Sequence, residues 1–272
     1  MAVPLTVIGV PTSAGAHHAG QDLAPAALRA RGFVDKLAAA GLMVTDAGDV
    51  AGEVFASDDV AATARNLDAV VRVASAVADA VEQETRADRM PIVLGGDCTI
   101  TLGVVAGLQR VRDEVRLAYF DGDADLNSPE RTSSGVLDAT GVAHLLGIAD
   151  TPLARIGRTV PMLAEHQLVL LGYDSTDPDS YDVDALTARP ALKHFTGAAV
   201  AADPVEVARQ GAVSLAAEDA TIAVHFDVDA VDSRDLPLAN FPHYGTGVPL
   251  AVAGQVLEFL LAAPGAGALI LT

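Results

Sequence analysis

The sequence contains little cysteine and few positive charges. Cys98 is the one cysteine among 272 residues, which excludes an internal disulfide and is typical of a cytoplasmic protein. Lysine and arginine number 17 against 36 aspartates and glutamates, so the formal net charge is −19 at pH 7. A surface of that sign repels phosphate groups, so we expect neither nucleic acid nor an anionic membrane as a partner.

Long hydrophobic runs are also missing, although hydrophobic residues make up 51% of the chain. None of the apolar runs reaches the ~18 residues that a membrane-spanning helix needs. Residues 1–4 lead into a strand-like segment without a basic stretch, so we do not expect a signal peptide. A chain of this length is large enough for one α/β domain with a large core, and we expect residues 1–272 to form a single domain.

An acidic stretch follows the apolar run 115–120, which the sequence predicts to be a buried strand. Asp121, Asp123 and Asp125 occupy alternate positions directly after it. Three carboxylates so close together repel one another, and a bound cation is the simplest compensation. A turn with a solvated acidic edge would also explain this stretch taken alone, because aspartate is a common turn residue.

Two further stretches favour the cation. Residues 91–94 are another short apolar run, which is followed by two glycines, an aspartate and Cys98. The strand-like run 222–226 is followed by Asp227 and Asp229, again at alternate positions. In open α/β sheets ligands bind beyond the carboxyl ends of the strands. Acids and a thiol delivered there by three strands could converge on one polynuclear metal site.

The same three stretches resemble the fingerprints of the arginase/agmatinase (ureohydrolase) family. Those fingerprints are Gly-Gly-Asp-His, Asp-Ala-His-x-Asp and Ser-Phe-Asp-x-Asp-x-x-Asp-Pro. This chain has Gly-Gly-Asp-Cys at 95–98, Asp-Gly-Asp-Ala-Asp at 121–125 and His-Phe-Asp-Val-Asp-Ala-Val-Asp-Ser at 225–233. Residues 7–11 and 20–29 look like the family's first strand and its Gly-x-x-x-x-Pro-x-x-Leu-Arg segment, so the likeness covers most of the chain.

The resemblance implies an arginase-like fold, a three-layer α/β/α sandwich around a central, mainly parallel sheet. The order of predicted elements agrees, because strands alternate with helices, as in a parallel sheet covered on both faces. The sequence predicts strands at 5–10, 42–45, 91–94, 115–120, 168–171, 222–226 and 269–271, and helices at 25–40, 63–85, 99–108, 205–210 and 251–261.

The resemblance also implies a chemistry. In the family two manganese ions share bridging carboxylates and activate a hydroxide, which attacks a guanidinium carbon and releases urea. Four residues match the family's carboxylate ligands: Asp121, Asp125, Asp227 and Asp229. We therefore expect a divalent metal, Mn²⁺ by resemblance, as one or two ions.

Three positions depart from the family pattern. Cys98 and Asp123 replace the two histidine ligands, and both are candidate metal ligands in this chain. Asp123 adds a negative charge, which favours a protonated carboxylate in the cluster, and a Cys98 thiolate would favour zinc or nickel. Cys98 could equally be an inert buried thiol, since its unperturbed pKa of ~8.5 makes it a thiolate only beside a metal. Asp138 occupies the position of the family's proton-shuttling histidine, and we expect Asp138 and Asp125 to be catalytic.

Three more residues match the family's substrate contacts. Asn127 and Ser134 match residues that hold the substrate α-carboxylate, and Asp177 matches the acid that holds its α-amino group. The sequence ends at Thr272, before the glutamate that grips the guanidinium in the family and before its last helix. Either the chain was cut here or the protein lacks that glutamate, so we expect the family's C-terminal segment to be missing.

Two functions therefore remain open. The first is metal-dependent hydrolysis of a C–N bond in arginine or a related guanidino compound, such as a hydroxyguanidine, with release of urea or a urea derivative. The second is a catalytically silent arginase-like protein with a degenerate metal site, which acts as a binding or scaffold subunit. A deacetylase-like amide hydrolase fits less well, since the Asn-Ser-Pro loop at 127–129 resembles the guanidine-handling branch. The resemblance also implies a homo-oligomer, a trimer or a hexamer.

Overall fold

A parallel β-sheet forms the centre of the computed structural model, which describes residues 3–58, 63–132, 134–177, 183–239 and 242–272. Its strands are β1 (Leu5–Gly9), β2 (Val44–Asp49), β3 (Met90–Leu94), β4 (Val115–Phe120), β5 (Leu168–Leu171), β6 (Lys193–Phe195), β7 (Thr221–Phe226) and β8 (Ala266–Leu271). The spatial order is β2-β1-β3-β8-β7-β4-β5-β6, and every pairing between these strands is parallel.

Helices connect and cover the strands. In the described ranges they are α1 (Ala24–Ala30), α2 (Phe33–Ala39), α3 (Leu67–Arg86), α4 (Ile100–Gln109), α5 (Gly141–Leu145), α6 (Val183–Thr187), α7 (Gly197–Ala202), α8 (Pro204–Leu215) and α9 (Leu250–Ala262). Within those same ranges, no helix is both long enough and apolar enough to cross a bilayer.

The alternation of side chains along each strand divides the core into two layers. Leu117 and Tyr119 of β4 belong to the core layer that includes Val77 of α3. Phe120, one residue further on, packs in the opposite layer with Val256 of α9. Helices therefore cover both faces of the sheet, as expected for near-continuous apolar parallel strands. The predicted α/β/α sandwich is confirmed.

Several element boundaries differ from those predicted. The single helix predicted over 25–40 is wrong, because Gly32 adopts φ 74°, a left-handed conformation that ends α1 and starts α2. The helix predicted from residue 63 begins only at Leu67, and β2 extends to Asp49 rather than ending at residue 45. The sequence patterns also missed the short elements β6, α5, α6 and α7, where periodicity has few residues to act on.

Two glycines bring α4 against α3. A Cβ added at Gly103 would lie 2.5 Å from the Ala74 carbonyl oxygen, and one at Gly107 would lie 2.6 Å from the Ala78 carbonyl oxygen. Real Cβ atoms do not approach a backbone oxygen so closely. The two helices therefore need glycine at both positions to keep their spacing.

Gly107→Ala is expected to lower the free energy of unfolding by about 1–3 kcal/mol, because overpacking forces the helices apart. Gly254 of α9 provides a matched control, since a Cβ there would meet no atom within 4 Å. Gly254→Ala should raise the stability by about 0.5–1 kcal/mol, the usual cost of glycine in a helix. Urea unfolding, monitored by circular dichroism, measures the free energy of unfolding of both variants. Equal changes in the two variants would contradict the close α3–α4 contact.

The strand order determines which loops meet at the carboxyl edge of the sheet. β4 and β7 are neighbours and their last residues, Phe120 and Phe226, are paired in register. Leu271 of β8 pairs with Phe226 on one side and with Leu94 of β3 on the other. The loops that follow β3, β4 and β7 therefore start side by side, and these are the loops that carry the predicted metal ligands.

Candidate metal centre

Two aspartate loops of the same shape meet beyond β4 and β7. The Asp121 Oδ1 atom accepts a hydrogen bond from the Asp123 N–H at 2.8 Å, and the Asp227 Oδ1 atom accepts one from the Asp229 N–H at 2.8 Å. The Asp229 Oδ1 atom accepts the Gly122 N–H at 2.9 Å, which ties the two loops together. Each aspartate thus uses one oxygen for its own loop, and the Oδ2 atoms of Asp121 and Asp227 face a shared centre.

The first cluster contains Cys98, Asp121, His225 and Asp227, one candidate ligand atom from each lying within 4.8 Å of all the others. The Cys98 Sγ atom is 2.7 Å from Asp227 Oδ2 and 3.8 Å from Asp121 Oδ2. All four residues are buried. A thiol, an imidazole and two carboxylates in this arrangement offer the donor atoms that divalent transition metals prefer.

His225 already has a partner for each ring nitrogen. Its Nδ1 atom is 2.7 Å from Thr101 Oγ1, and its Nε2 atom is 3.3 Å from Asp121 Oδ2. The ring also stacks on Tyr119, with centroids 4.1 Å apart and planes 5° from parallel. These contacts fix the orientation of the imidazole beside Asp121.

Tyr119 holds Asp125 in a comparable way. Its hydroxyl donates a hydrogen bond to Asp125 Oδ2. Burial, followed by the nearby Asp125 carboxylate, raises the pKa of Tyr119 well above its ordinary value, so the hydroxyl keeps the proton that it donates. Asp125 has φ 49°, a left-handed conformation that aspartate tolerates better than most residues.

A second cluster, Asp123–Asp229–His243, lies beside the first, and its three candidate ligand atoms are also within 4.8 Å of one another. The His243 Nε2 atom is 3.9 Å from Asp123 Oδ1, and its Nδ1 atom is 3.6 Å from Asp174 Oδ2. His243 is buried, whereas Asp123 is partly exposed. The two clusters lie side by side, so the centre offers donor atoms for one or two cations.

The electrostatics of the centre favour protons or cations. Burial raises the pKa of Asp125 and Asp229 well above the ordinary value, and neighbouring carboxylates raise it further. Asp227 is shifted in the same direction by burial and by Asp121. Burial, with Asp227 next in importance, also raises the pKa of the Cys98 thiol, which therefore stays protonated unless a metal displaces the proton. These donors fit a divalent metal, since ionised carboxylates at this density need a compensating charge.

Asp138 lies next to the first cluster. Its Oδ1 atom accepts the Cys98 N–H at 2.7 Å, and its Oδ2 atom accepts the Gln21 Nε2–H at 3.4 Å. Burial, followed by the Asp97 and Asp227 carboxylates, raises the pKa of Asp138 well above the ordinary value. The carboxyl group is therefore fixed in place and holds a proton more readily than an ordinary aspartate does.

A cavity of about 620 Å³ opens onto this centre. Its lining includes all the residues predicted as metal ligands or catalytic groups, namely Cys98, Asp121, Asp123, Asp125, Asp138, Asp227 and Asp229. The described residues that line it do not include Asn127, Ser134 or Asp177. Ser134 Oγ accepts a hydrogen bond from the Val136 N–H within its own loop, and Asp177 is exposed. The substrate-binding roles of these three residues stay predictions.

Sequence reasoning missed Tyr119, His225 and His243. Strand alternation could have found the first two, because Tyr119 and His225 each lie two positions before Asp121 and Asp227 and so point to the same side. His243 has no such signal. It lies in the loop between β7 and α9, and only the folded chain brings it to Asp123.

Comparison with known proteins places the chain in a family. Residues 3–264 match the model of the Arginase family. The chain is 29% identical to the arginase of Bacillus caldovelox over 249 residues, which is 89% of this chain and 81% of that protein. It is also 29% identical to the arginase of Brevibacillus brevis over 259 residues, with 94% and 85% covered.

Solved structures show the same fold. The arginase of Bacillus subtilis superposes with a TM-score of 0.86 at 24% identity, covering 98% of this chain and 89% of that chain. The Entamoeba histolytica arginase in complex with L-ornithine gives a TM-score of 0.89 at 21% identity, with 100% and 91% covered. From the match over residues 3–264, the chain belongs to the arginase family.

Proposed function

We propose that this protein is a metal-dependent hydrolase that cleaves a C–N bond in arginine or a related guanidino compound and releases urea or a urea derivative. One observation carries the proposal: the buried acidic cluster on the wall of the cavity, which retains Asp121, Asp125, Asp227 and Asp229. A protein has little reason to maintain four such carboxylates away from water without a cation.

The residues that would hold the metal are the thiol and carboxylates that the sequence predicted as ligands, namely Cys98, Asp121, Asp123, Asp125, Asp227 and Asp229. Bound divalent ions, Mn²⁺ by family membership, would supply the Lewis acidity that hydrolysis of an unreactive C–N bond requires. We expect one or two ions, because the two clusters are separate sets of donors.

The chain's own residues would attract and orient the substrate. The acidic lining of the cavity, which includes Asp123 and Asp229, favours a cationic guanidinium over neutral or anionic groups. Tyr119 and His225 hold Asp125 and Asp121 in fixed orientations, and such fixed groups need little rearrangement during the reaction. Asp138 is the group best placed to hold a proton beside the cavity.

A silent, non-catalytic protein is the second candidate function. It is favoured by the contact between the Cys98 thiol and Asp227 Oδ2, at 2.7 Å, which satisfies both groups without a metal. Elemental analysis after mild purification separates the two candidates, since a degenerate site would retain little divalent metal.

The proposal is tested by a urea-release screen on arginine, agmatine and N-hydroxyguanidines, with manganese, nickel and zinc added in turn. We expect turnover with at least one substrate and loss of turnover on chelation. No urea or urea derivative from any combination, together with metal-free protein, would leave the silent protein as the better description.

Asp138→Asn is expected to lower kcat by about 100-fold or more, the usual range for losing a general acid or base, with the metal content unchanged. The asparagine keeps an oxygen for the Cys98 N–H but cannot carry a proton. Urea release and elemental analysis on the same samples measure the two quantities. Wild-type turnover in the variant would contradict the assigned role, and loss of metal would show that Asp138 acts on the ligands instead.

We also propose a homo-oligomer, a trimer or a hexamer, on the basis of family membership. Multi-angle light scattering at several concentrations tests this, and a monomer throughout would refute it.

A further inference from the structure

His243 presents a buried nitrogen that lacks a hydrogen bond within the described part of the chain. The residue is 8% exposed, and its Nε2 atom has no hydrogen-bond partner among the residues that the structure describes. Leaving a buried polar atom unpaired is costly, so such atoms usually mark a position where water, an ion or a ligand belongs. Here the atom points towards the acidic second cluster, 3.9 Å from Asp123 Oδ1.

The second ring nitrogen, Nδ1, has the surroundings that are typical of metal-binding histidines. The His243 Nδ1 atom lies 3.6 Å from Asp174 Oδ2. Asp174 is itself anchored, because its Oδ1 atom accepts hydrogen bonds from the Thr176 N–H and hydroxyl at 2.8 and 2.7 Å. Histidine ligands commonly direct their second nitrogen to a carboxylate, which leaves the Nε2 lone pair for the metal.

Gly122 provides the space for this ring. A Cβ at that position would lie 2.7 Å from both Cδ2 and Nε2 of His243, and 2.9 Å from the Asp229 carbonyl oxygen. Any larger residue between Asp121 and Asp123 would therefore push the imidazole out of the cluster. The glycine and the histidine depend on each other although they are far apart in the sequence.

We propose that His243 is a metal ligand, which together with Asp123 and Asp229 forms a second cation position beside Cys98, Asp121 and Asp227. This inference rests on the proposed function, because it assumes that the centre binds divalent metal. Cys98 and Asp123 stand where the family has its two histidine ligands. His243 would thus supply an imidazole to the centre from a different place, the loop after β7. His225 differs, because both of its ring nitrogens have partners, and it positions Asp121 instead.

The test is titration of Mn²⁺ and Co²⁺ into the chelator-treated full chain, with elemental analysis after desalting. The wild type should bind two ions. His243→Ala should lose one ion or bind it at least about tenfold more weakly, because loss of an outer-shell partner alone costs about 10–100-fold in metal affinity. The exposed His166 provides the matched control, and His166→Ala should bind as the wild type does.

Pulsed electron paramagnetic resonance on Mn²⁺ with ¹⁵N-histidine-labelled protein gives a direct readout. A nitrogen coupling present in the wild type and in His166→Ala should be absent in His243→Ala. Gly122→Ala, which retains every proposed ligand, should weaken the same ion by displacing the ring. If His243→Ala does not fold, His243→Gln carries the same measurements, because it keeps the size and polarity of the side chain.

The outcomes separate this inference from the proposed function. Two ions bound equally well by wild type and His243→Ala would overturn the inference and leave the hydrolase proposal intact. Loss of one ion in His243→Ala without urea release from any substrate would support the inference and count against the hydrolase. A wild type that binds no divalent ion would overturn both.

Discussion

Asp227→Asn is expected to weaken divalent-metal binding by more than about 100-fold, beyond the 10–100-fold cost of losing an outer-shell partner. The Asp227 Oδ2 atom faces the Cys98 thiol in the first cluster, whereas Oδ1 holds the Asp229 N–H. Asparagine can keep the second contact, so the loop should survive. It cannot supply the negative charge, and two unit charges ~4 Å apart interact by about 4 kcal/mol at an effective dielectric constant of ~20.

Proton release on metal binding provides a second test of the same site. Because burial raises the pKa of Asp227 and Asp229, the metal-free centre holds protons that a cation must displace. Calorimetric titration at pH 6 and pH 8 should therefore show proton release on binding and a higher affinity at the higher pH. In Asp227→Asn the heat and the proton release should both be lost.

Asp219→Asn is the matched control for this experiment. Asp219 is exposed, lies just before β7 and has φ 57°, which asparagine also tolerates. It should bind metal as the wild type does. Unchanged affinity in Asp227→Asn would show that the cation, if any, lies elsewhere.

The convergence of the acids could be predicted from the sequence, but not the identity of the neighbouring strands. Alternation of strands and helices implies a parallel sheet, and the acids after 115–120 and 222–226 must then lie at its carboxyl edge. The pairing of β4 with β7 is not visible in the sequence, because β5 and β6 intervene along the chain. It is this pairing that makes two loops of the same shape share one centre.

The histidines show where the sequence patterns stop being informative. His225 lies on a strand, so its direction follows from the period of two residues. His243 lies on a loop, and its place depends on the Gly122 backbone and on Asp174, which belong to distant segments. Loop residues that reach a site through tertiary contacts carry no periodic signal. For the same reason, Asn127, Ser134 and Asp177 match family positions in sequence, yet they do not line the cavity among the described residues.

Metal-free wild-type protein is expected to lose stability relative to Asp125→Asn as the pH rises from about 4 to 8. Burial, with Asp121 next, raises the folded-state pKa of Asp125 well above its ordinary value. The folded state then binds more protons than the unfolded chain, whose aspartates titrate near ~3.9. A carboxyl with a raised pKa therefore stabilises the fold least at high pH, with a slope of at most about 1.4 kcal/mol per pH unit.

Comparison with the variant isolates this effect. The lowered pKa values of His17, His144 and His194 favour the fold as the pH rises, but they act equally in both proteins. Asparagine suits the left-handed backbone at position 125, and its side-chain oxygen can still accept the hydrogen bond from the Tyr119 hydroxyl. The variant should thus be well folded, and at pH 8 it should be the more stable protein in the absence of metal.

A bound divalent metal should reverse this order of stability and make the wild type the more stable protein. With a divalent ion at about 100 times its Kd, the wild type gains about 2.7 kcal/mol, because the ion binds the folded state and replaces the protons. Asp125→Asn, which lacks one of the carboxylates at the centre, should gain much less. Urea unfolding at pH 5, 6.5 and 8 measures the stability of both proteins, each with chelator and with Mn²⁺. This gives four curves of stability against pH. Parallel pH dependence of the two metal-free proteins would contradict a raised pKa at Asp125, and equal gains with Mn²⁺ would remove this carboxylate from the metal site.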